Sequence, residues 1–258
     1  FMIVLGKSLS YQFRHCVPDL TQELNIENVR YSIVFILSMA LLIQGIGAGL
    51  LFLSLRHYHS WLYAIYSSIF HSISAFCNAG FSLYPDSLVR FQNNGFILTT
   101  LMVLIIIGGL GFIVVYELGG YLPLKGKRTK RYAFSLHTKI ALYGSVIFIF
   151  GGALAIWLLE HNGIMKLLPF QDQILNSFFL SVTSRTAGFN SMNMPLFSTP
   201  TLLLVIFLMF IGACPGSTAG GVKIHTFFTV LALIRDKLRG LTMASIFKRK
   251  IPEDVRRG

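Results

Sequence analysis

The sequence predicts an all-α integral membrane protein, and two observations lead to this fold class. Of its 258 residues, 54% are hydrophobic and only 12% are charged, whereas soluble domains carry about 25% charged residues. Four apolar stretches of about 20 residues or more are long enough to cross a bilayer as helices. They are residues 31–55, 95–120, 139–159 and 201–234.

Two shorter segments lie between these spans, residues 61–84 between the first and second and residues 171–194 between the third and fourth. Each is only moderately apolar and is interrupted by small residues. Each begins with the pattern of a short helix, at residues 64–76 and 172–184, and then reaches the sequence Ala-Gly-Phe. Neither segment is expected to cross the bilayer.

The Ala-Gly-Phe sequence occurs at residues 79–81 and again at residues 187–189, each time between a short helix and a polar segment that leads into a long span. Such self-similarity indicates an internal repeat. A single Ala-Gly-Phe would be a turn that breaks a helix. Two in matching context favour re-entrant pore loops, because non-helical backbone is tolerated at membrane depth only where it is buried or lines water. The sequence therefore predicts repeated helix–pore-loop–helix units.

The basic residues predict the orientation of these units. A net charge of +12 would suggest nucleic acid as the partner of a soluble protein, but here the positive charges gather in residues 125–131 and 235–257, after the second and fourth spans. Loops rich in Lys and Arg stay in the cytoplasm. We therefore expect no nucleic-acid partner, and a multi-pass protein of the cell membrane with its basic loops in the cytoplasm and its re-entrant loops outside.

The re-entrant loops have the composition of a cation filter. A dehydrated alkali cation needs several oxygen ligands at once, which closely spaced backbone carbonyls can supply. Glycine permits backbone angles that aim successive carbonyls at one axis, and the C-terminal ends of the short helices favour positive charge there. The residues predicted to form the filter are Asn78, Ala79, Gly80, Phe81, Thr186, Ala187, Gly188 and Phe189.

The fourth span is predicted to be broken, because a proline and four glycines interrupt it. Its freed backbone groups need partners in protein or water, which predicts a loop in the permeation path below the filter and makes it a candidate gate. A phosphate-binding loop is excluded because no Gly-x-x-x-x-Gly-Lys-Ser/Thr pattern is present. The predicted gating loop comprises Gly212, Ala213, Cys214, Pro215, Gly216, Ser217, Thr218, Ala219, Gly220 and Gly221.

Four isolated polar residues and one glycine pattern have simpler interpretations. Arg185 is predicted to anchor its pore helix to neighbouring backbone, with its charge held off the axis. Lys223 is expected to extend toward the cytoplasm. His71 and His225 lack further ligands at a supporting spacing, so buried hydrogen bonding is favoured over metal binding. The small-xxx-small pattern at residues 45–49 is typical of close helix packing in a membrane.

Three segments together resemble the Trk/Ktr/HKT superfamily of potassium transporters, in particular its pore-forming membrane subunit. They are residues 74–82 (Ser-Ala-Phe-Cys-Asn-Ala-Gly-Phe-Ser), 184–190 (Ser-Arg-Thr-Ala-Gly-Phe-Asn) and 212–223 (Gly-Ala-Cys-Pro-Gly-Ser-Thr-Ala-Gly-Gly-Val-Lys). The resemblance extends over nearly the whole chain. It implies four fused helix–pore-loop–helix units around one pore, with potassium bound by carbonyls near Gly80 and Gly188.

The resemblance also implies how the chain is divided. Residues 31–124 are expected to form the second of the four units and residues 139–240 the third, joined by a basic cytoplasmic linker at residues 125–138. Residues 1–30 would be the tail of a preceding unit with its linker, and residues 241–258 the start of a linker to a further unit. The chain is thus expected to be a fragment that holds two complete units.

As for function, the resemblance implies potassium uptake, and glycine at both filter positions favours potassium over sodium. A sodium or other monovalent-cation transporter of the same superfamily remains an alternative. The resemblance further implies a homodimer in membrane lipid, no cofactor of its own, and a separate cytosolic nucleotide-binding regulatory subunit.

Two other functional classes fit the sequence less well. A secondary carrier with broken helices usually contains an inverted repeat, whereas both units here begin and end on the basic side. A membrane-embedded enzyme would need acidic, histidine or nucleophilic residues at one depth. Glu117, near an end, is the only acidic residue within the predicted spans, so no enzymatic activity is expected.

Overall fold

A computed structural model describes residues 29–121, 134–239, 245–246 and 249–250, and this part of the chain is mostly helical. The tail at residues 1–28 and the basic segment at residues 125–131 lie outside the described residues, as does most of the segment from 240 to 258. The cytoplasmic position predicted for these segments therefore remains a prediction.

The first half of the described chain contains four α-helices. They are α1 (Val29–Leu55), α2 (Trp61–Phe76), α3 (Gly95–Leu110) and α4 (Phe112–Tyr121), with a short 3-10 helix at Val89–Phe91. The start of α3 is fixed by Asn94, whose side chain accepts a hydrogen bond from the backbone nitrogen of Ile97, the bond that an N-cap residue typically supplies.

The second half also contains four α-helices. It contains α5 (Leu136–Glu160), α6 (Phe170–Thr183), α7 (Thr199–Phe210) and α8 (Ile224–Leu238), with 3-10 helices at Ile164–Leu167 and Met194–Leu196. Ser135 caps α5 by accepting a hydrogen bond from the backbone nitrogen of Thr138. Two short strands, β1 (Ser245–Ile246) and β2 (Arg249–Lys250), pair antiparallel after α8.

Among the described residues, α1 and α5 are each long and apolar enough to cross a membrane, and α3 with α4 would make a third span if counted together. The sequence predicted one continuous helix over residues 95–120, and the structure differs: α3 and α4 meet at a bend of 101°. The bend is at Gly111, whose φ of +83° a helix cannot contain. The fourth span is broken between α7 and α8, as predicted.

The short helices α2 and α6 lie against the long helices α1 and α5, and α3 packs against both α2 and α6. In α2 the hydroxyl of Ser72 donates to the carbonyl of Gln44 in α1 at 2.7 Å. In α6 the hydroxyl of Ser181 donates to the carbonyl of Ile149 in α5 at 2.8 Å. Each short helix is thus held to its long helix by one buried serine.

The glycines at residues 45–49 pack differently from the prediction. A Cβ atom on Gly47 would lie 2.7 Å from the side chains of Leu104 and Ser72, whereas a Cβ on Gly45 or Gly49 would meet nothing within 4 Å. Since successive helical residues are about 100° apart, Gly47 lies opposite the other two. The middle glycine makes the close contact, and the outer pair faces open space.

Candidate functional site

The two Ala-Gly-Phe loops meet at their glycines. Gly80 has φ +70° and Gly188 has φ +87°, both in the left-handed region that favours glycine. A Cβ atom on Gly80 would collide with the carbonyl oxygen of Ala187 and lie 2.8 Å from the Cα atom of Gly188. The two glycines are 108 residues apart in the sequence, and the fold brings their backbones into contact.

The two loops share a backbone conformation. Asn78 (φ 51°) and Thr186 (φ 73°) each lie two positions before the glycine, and both have a positive φ. Asparagine tolerates this conformation, but for a β-branched threonine it is strained. Ala79 and Ala187, the residues between, are not in the positive-φ region. The sign of φ therefore alternates in the same way along both loops.

Six carbonyl oxygens in these loops accept no hydrogen bond from any described residue: those of Asn78, Ala79, Gly80, Thr186, Ala187 and Gly188. Carbonyls at membrane depth need partners. An alkali cation that has lost its water is such a partner.

Each loop is held at its outer end by a hydroxyl of its own short helix. Ser74 donates to the carbonyl of Phe81 at 2.8 Å, and Thr183 donates to the carbonyl of Phe189 at 2.8 Å. The loop also turns back on the end of its helix, because the nitrogens of Ala79 and Ala187 donate to the carbonyls of Ser74 and Thr183, both at 2.9 Å. The C-terminal end of each short helix thus leads directly into its loop.

The segments that follow the two loops are also bonded to each other. The backbone nitrogen of Leu88 donates to the carbonyl of Asn190 at 2.9 Å, and the nitrogen of Asn190 donates to the hydroxyl of Ser87 at 3.1 Å. Asn176, in α6, donates to the carbonyl of Gln92 at 2.9 Å. These bonds, which lie beyond the two Ala-Gly-Phe loops themselves, fix the relative position of the loops.

His71 contacts Ser82 and Leu83, the residues that follow the first Ala-Gly-Phe loop. The ring is buried. Its Nδ1 atom lies 2.7 Å from the carbonyl of Ser67 and so carries the hydrogen, and its Nε2 atom accepts from the backbone nitrogen of Leu83 at 3.4 Å and lies 3.1 Å from the hydroxyl of Ser82. The ring stacks on Tyr84, with centroids 5.1 Å apart. His225 bonds through Nε2 to the carbonyl of His137 at 2.9 Å. Both contacts agree with the predicted hydrogen-bonding role, and the described residues contain no cluster of three or more metal-ligating side chains.

The break between α7 and α8 is a loop whose two ends are hydrogen-bonded to each other. The nitrogen of Gly212 donates to the carbonyl of Val222, and the nitrogen of Val222 donates to the carbonyl of Phe210, both at 3.0 Å. Inside the loop, the hydroxyl of Ser217 donates to the carbonyl of Cys214 at 2.6 Å. All the residues predicted for the gating loop, from 212 to 221, lie in this closed segment.

This loop packs on the bend between α3 and α4. The nitrogens of Cys214 and Thr218 donate to the carbonyls of Gly109 and Gly108 at 3.1 and 3.2 Å. In return, the nitrogen of Phe112 donates to the carbonyl of Gly216 at 3.3 Å. A Cβ on Gly111 would lie 2.8 Å from the carbonyl oxygen of Pro215. The bend at Gly111, which the sequence did not predict, therefore forms the surface on which the loop at residues 212–221 packs.

The same loop is bonded to both Ala-Gly-Phe loops. The side-chain nitrogen of Asn78 donates to the hydroxyl of Thr218 at 2.8 Å, and that hydroxyl donates to the carbonyl of Phe76 at 2.9 Å. The backbone nitrogen of Gly220 donates to the hydroxyl of Thr186 at 3.0 Å. All three groups predicted from sequence, the two filters and the gating loop, thus form one connected site.

The two cationic side chains of the site differ from their predictions in detail. Arg185 is buried, but its Nη2 atom donates to the hydroxyl of Ser145 at 3.3 Å rather than to backbone, and its Nε atom has no hydrogen-bond partner among the described residues. Lys223 was expected to extend toward the cytoplasm, which stays a prediction, and the structure adds a bond to its own loop. Its ammonium donates to the carbonyl of Ala219 at 2.7 Å, because a loop carbonyl without a helical partner needs a donor.

Sequence analysis did not predict the contacts of one buried acid, which lies at the C-terminal end of α5 beside the start of α7. Glu160 is 1% exposed, and one carboxylate oxygen accepts from the nitrogen and hydroxyl of Ser198 at 2.9 and 2.7 Å and from the hydroxyl of Thr201 at 2.6 Å. It thereby caps the start of α7 and fixes that helix to α5. The only signal in the sequence is the Ser-Thr-Pro-Thr start of α7, which indicates a cap but does not identify a distant acid.

Comparison with known proteins agrees with this geometry. Residues 17–255 match the family model described as TrkH: Cation transport protein. The fold is similar to the crystal structure of the potassium transporter TrkH from Vibrio parahaemolyticus, with a TM-score of 0.70 and 20% identity over 89% of this chain and 47% of that one. At this identity the likeness establishes the fold alone.

Two curated relatives are closer in sequence. The potassium/sodium uptake protein NtpJ of Enterococcus hirae is 36% identical over 252 residues, and the Ktr system potassium uptake protein B of Bacillus subtilis is 34% identical over 252 residues. Each alignment covers 97% of this chain but only 54% and 55% of the relative, so the chain spans about half the length of both. The chain belongs to the TrkH family of cation transport proteins and is an integral membrane protein.

Proposed function

We propose that this chain supplies two of the loops that line a potassium-selective pore, and that the protein containing it takes up potassium across the cell membrane. The observation that carries this proposal is the contact of Gly80 with Gly188. Beside it lie the carbonyl oxygens of residues 78–80 and 186–188, which accept no hydrogen bond from any described residue. Replacement of a cation's hydration shell by such carbonyls needs no covalent chemistry. The function is therefore transport and not enzymatic catalysis.

We propose that residues 31–124 and 139–240 are two equivalent helix–pore-loop–helix units, the second and third of four. Three hydroxyls at the same spacing in each short helix support this. Ser68 and Ser177 bond one helical turn back, Ser72 and Ser181 bond the long helix, and Ser74 and Thr183 bond the carbonyl after the glycine. In this proposal residues 1–30, 125–138 and 241–258 are the adjoining tail and linkers.

The loop at residues 212–221 is proposed to gate the pore. It contacts the filter loops through Thr218 and Gly220, both of which are exposed. A segment in that position reduces the space through which a cation leaves the filter. Lys223, bonded to the loop by Ala219, adds a positive charge that a permeating cation must pass.

We further propose that the protein is a homodimer in lipid, that its basic segments at residues 125–131 and 235–257 face the cytoplasm, and that a cytosolic nucleotide-binding subunit regulates it. The name of one relative, Ktr system potassium uptake protein B, denotes a component of a system, which supports a separate regulatory component. The nucleotide would bind to that component, and this chain would need no cofactor.

Sodium transport is the second candidate, because one relative is named a potassium/sodium uptake protein. Uptake of rubidium, a potassium substitute, separates the two. Cells that lack their own potassium transport would express the full-length gene product that contains this sequence, with and without excess sodium. Saturable rubidium uptake that sodium barely inhibits supports a potassium pore. If a well-inserted protein took up sodium and not rubidium, the proposed substrate would be sodium instead of potassium.

A further inference from the structure

We infer that the loop at residues 212–221 also holds the filter in its selective conformation, so that the preference for potassium over sodium depends on where this loop lies. The inference rests on the proposed function and goes beyond obstruction of the pore. Two side chains carry it, Asn78 and Thr186, which are equivalent positions of the two filter loops. Each is bonded to the gating loop, through Thr218 and Gly220 respectively.

The backbone at these two positions needs outside support. A positive φ is unfavourable for residues other than glycine, and for threonine in particular. Such conformations persist only where surrounding contacts determine them. At Thr186 the hydroxyl accepts from the nitrogen of Gly220, and at Asn78 the amide donates to Thr218. The gating loop therefore supplies contacts that hold both residues in the conformation that precedes the filter glycines.

Withdrawal of the loop would change the filter end of the site. The amide of Asn78 and the hydroxyl of Thr186 would each lose their partner in the loop, and the carbonyl of Phe76 would keep only the amide of Asn78, at 3.5 Å. The carbonyls of Gly108 and Gly109 on the α3 bend would lose theirs as well. Water can replace these partners but does not fix the backbone. For selective transport, the contacts of Thr218 and Gly220 with Asn78 and Thr186 must therefore persist while ions pass, and only the rest of the loop moves when the pore opens.

Thr218 is the residue through which this can be tested. It is exposed, so that replacing it with valine keeps its shape without disturbing a packed core. Valine can neither accept from Asn78 nor donate to Phe76. Ser217 is a matched comparison within the same loop, because its hydroxyl bonds only to Cys214, inside the loop. Thr100 is a control outside the site, since its hydroxyl bonds to Phe96 within α3.

The experiment measures rubidium and sodium uptake by the full-length protein in the same cells, normalised to the amount in the membrane. We expect Thr218→Val to reduce the rubidium-to-sodium ratio about threefold to tenfold, the effect of losing one or two hydrogen bonds. Ser217→Ala is expected to change the rate without changing the ratio, and Thr100→Val to change neither. A rise in the uptake of both ions with an unchanged ratio in Thr218→Val would overturn the inference and leave the potassium pore intact.

Thr186 provides a second, independent test in case Thr218→Val fails to insert. Thr186→Ser keeps the hydroxyl that Gly220 bonds and is expected to keep the wild-type ratio. Thr186→Val keeps the branched shape and loses the hydroxyl, so its ratio is expected to fall to the same extent as in Thr218→Val. Equal ratios in the serine and valine variants would contradict the inference. Absence of rubidium uptake by the wild type would instead remove the proposed function on which it rests.

Discussion

Gly80 and Gly188 approach so closely that a Cβ atom on Gly80 would lie 2.8 Å from the Cα atom of Gly188 and collide with the carbonyl of Ala187. The reverse contact is looser, because a Cβ on Gly188 would meet only the Cα of Gly80, at 3.3 Å. The two loops are therefore in contact through their backbones, and the two glycines are not equally tolerant of a side chain.

This asymmetry predicts unequal effects of substitution. Both glycines have positive φ, so alanine at either adds about 1–2 kcal/mol of backbone strain. Gly80→Ala must also displace the backbone of the second loop, whereas Gly188→Ala needs a shift of a few tenths of an ångström. We expect the rubidium-to-sodium uptake ratio to fall in both variants, and further in Gly80→Ala.

Gly45→Ala is the matched control, because a Cβ there meets nothing within 4 Å. Its uptake ratio should equal that of the wild type. An unchanged potassium preference in both filter variants, at normal membrane levels, would refute the assignment of these glycines to the filter.

Shortening the loop between residues 212 and 221 should raise the rate of ion uptake several-fold, because the closed segment lies against both filter loops. Rubidium influx measured at saturating concentration tests this. Unaltered influx with normal expression would mean that the break in the helix is only a kink and obstructs nothing.

Glu160 is predicted to stabilise the packing of α7 against α5. Glu160→Ala leaves three donors of Ser198 and Thr201 without their acceptor, so the free energy of unfolding should fall by about 2–4 kcal/mol. Glu160→Gln retains one carbonyl acceptor and should lose less. Thermal unfolding of the purified protein in detergent measures both, and equal stability of the alanine variant and wild type would exclude a capping role.

The ion pair between Asp86 and Arg90 predicts a small pH dependence. Arg90 donates to Asp86 at 2.8 Å, and this hydrogen bond lowers the pKa of the Asp86 carboxyl below its usual value. The resulting stabilisation is present above the unfolded pKa and disappears as the pH falls through the folded one. Since both side chains are exposed, it should be under about 1 kcal/mol.

The difference in thermal stability between wild type and Asp86→Asn should therefore be small at pH 7 and vanish below the folded pKa of Asp86. A difference that stays constant down to acidic pH would show that the carboxylate charge contributes nothing.

Local patterns in the sequence were sufficient to predict the long apolar helices α1 and α5, the short helices and the positions of both Ala-Gly-Phe loops. Apolar run length and glycine placement are properties of neighbouring residues, so they can be read without the fold. The break between α7 and α8 was predictable for the same reason, because Pro215 and its adjacent glycines are consecutive.

Contacts between distant residues were not predictable. The bend at Gly111 packs against the loop at residues 212–221, and Gly111 resembles any other glycine in an apolar run. Lys223 bonds back to Ala219 because the loop leaves that carbonyl unpaired. The bonds from Asn78 to Thr218 and from Gly220 to Thr186 join segments far apart in the chain, which no local pattern encodes.

The most direct test of the proposed pore is a structure of the full-length protein in rubidium or thallium, with the ion located by its anomalous scattering. We predict a peak beside Gly80 and Gly188, among the carbonyl oxygens of residues 78–80 and 186–188. A transport-competent protein with an empty filter and its ion bound elsewhere would contradict the assignment of these loops as the selectivity filter.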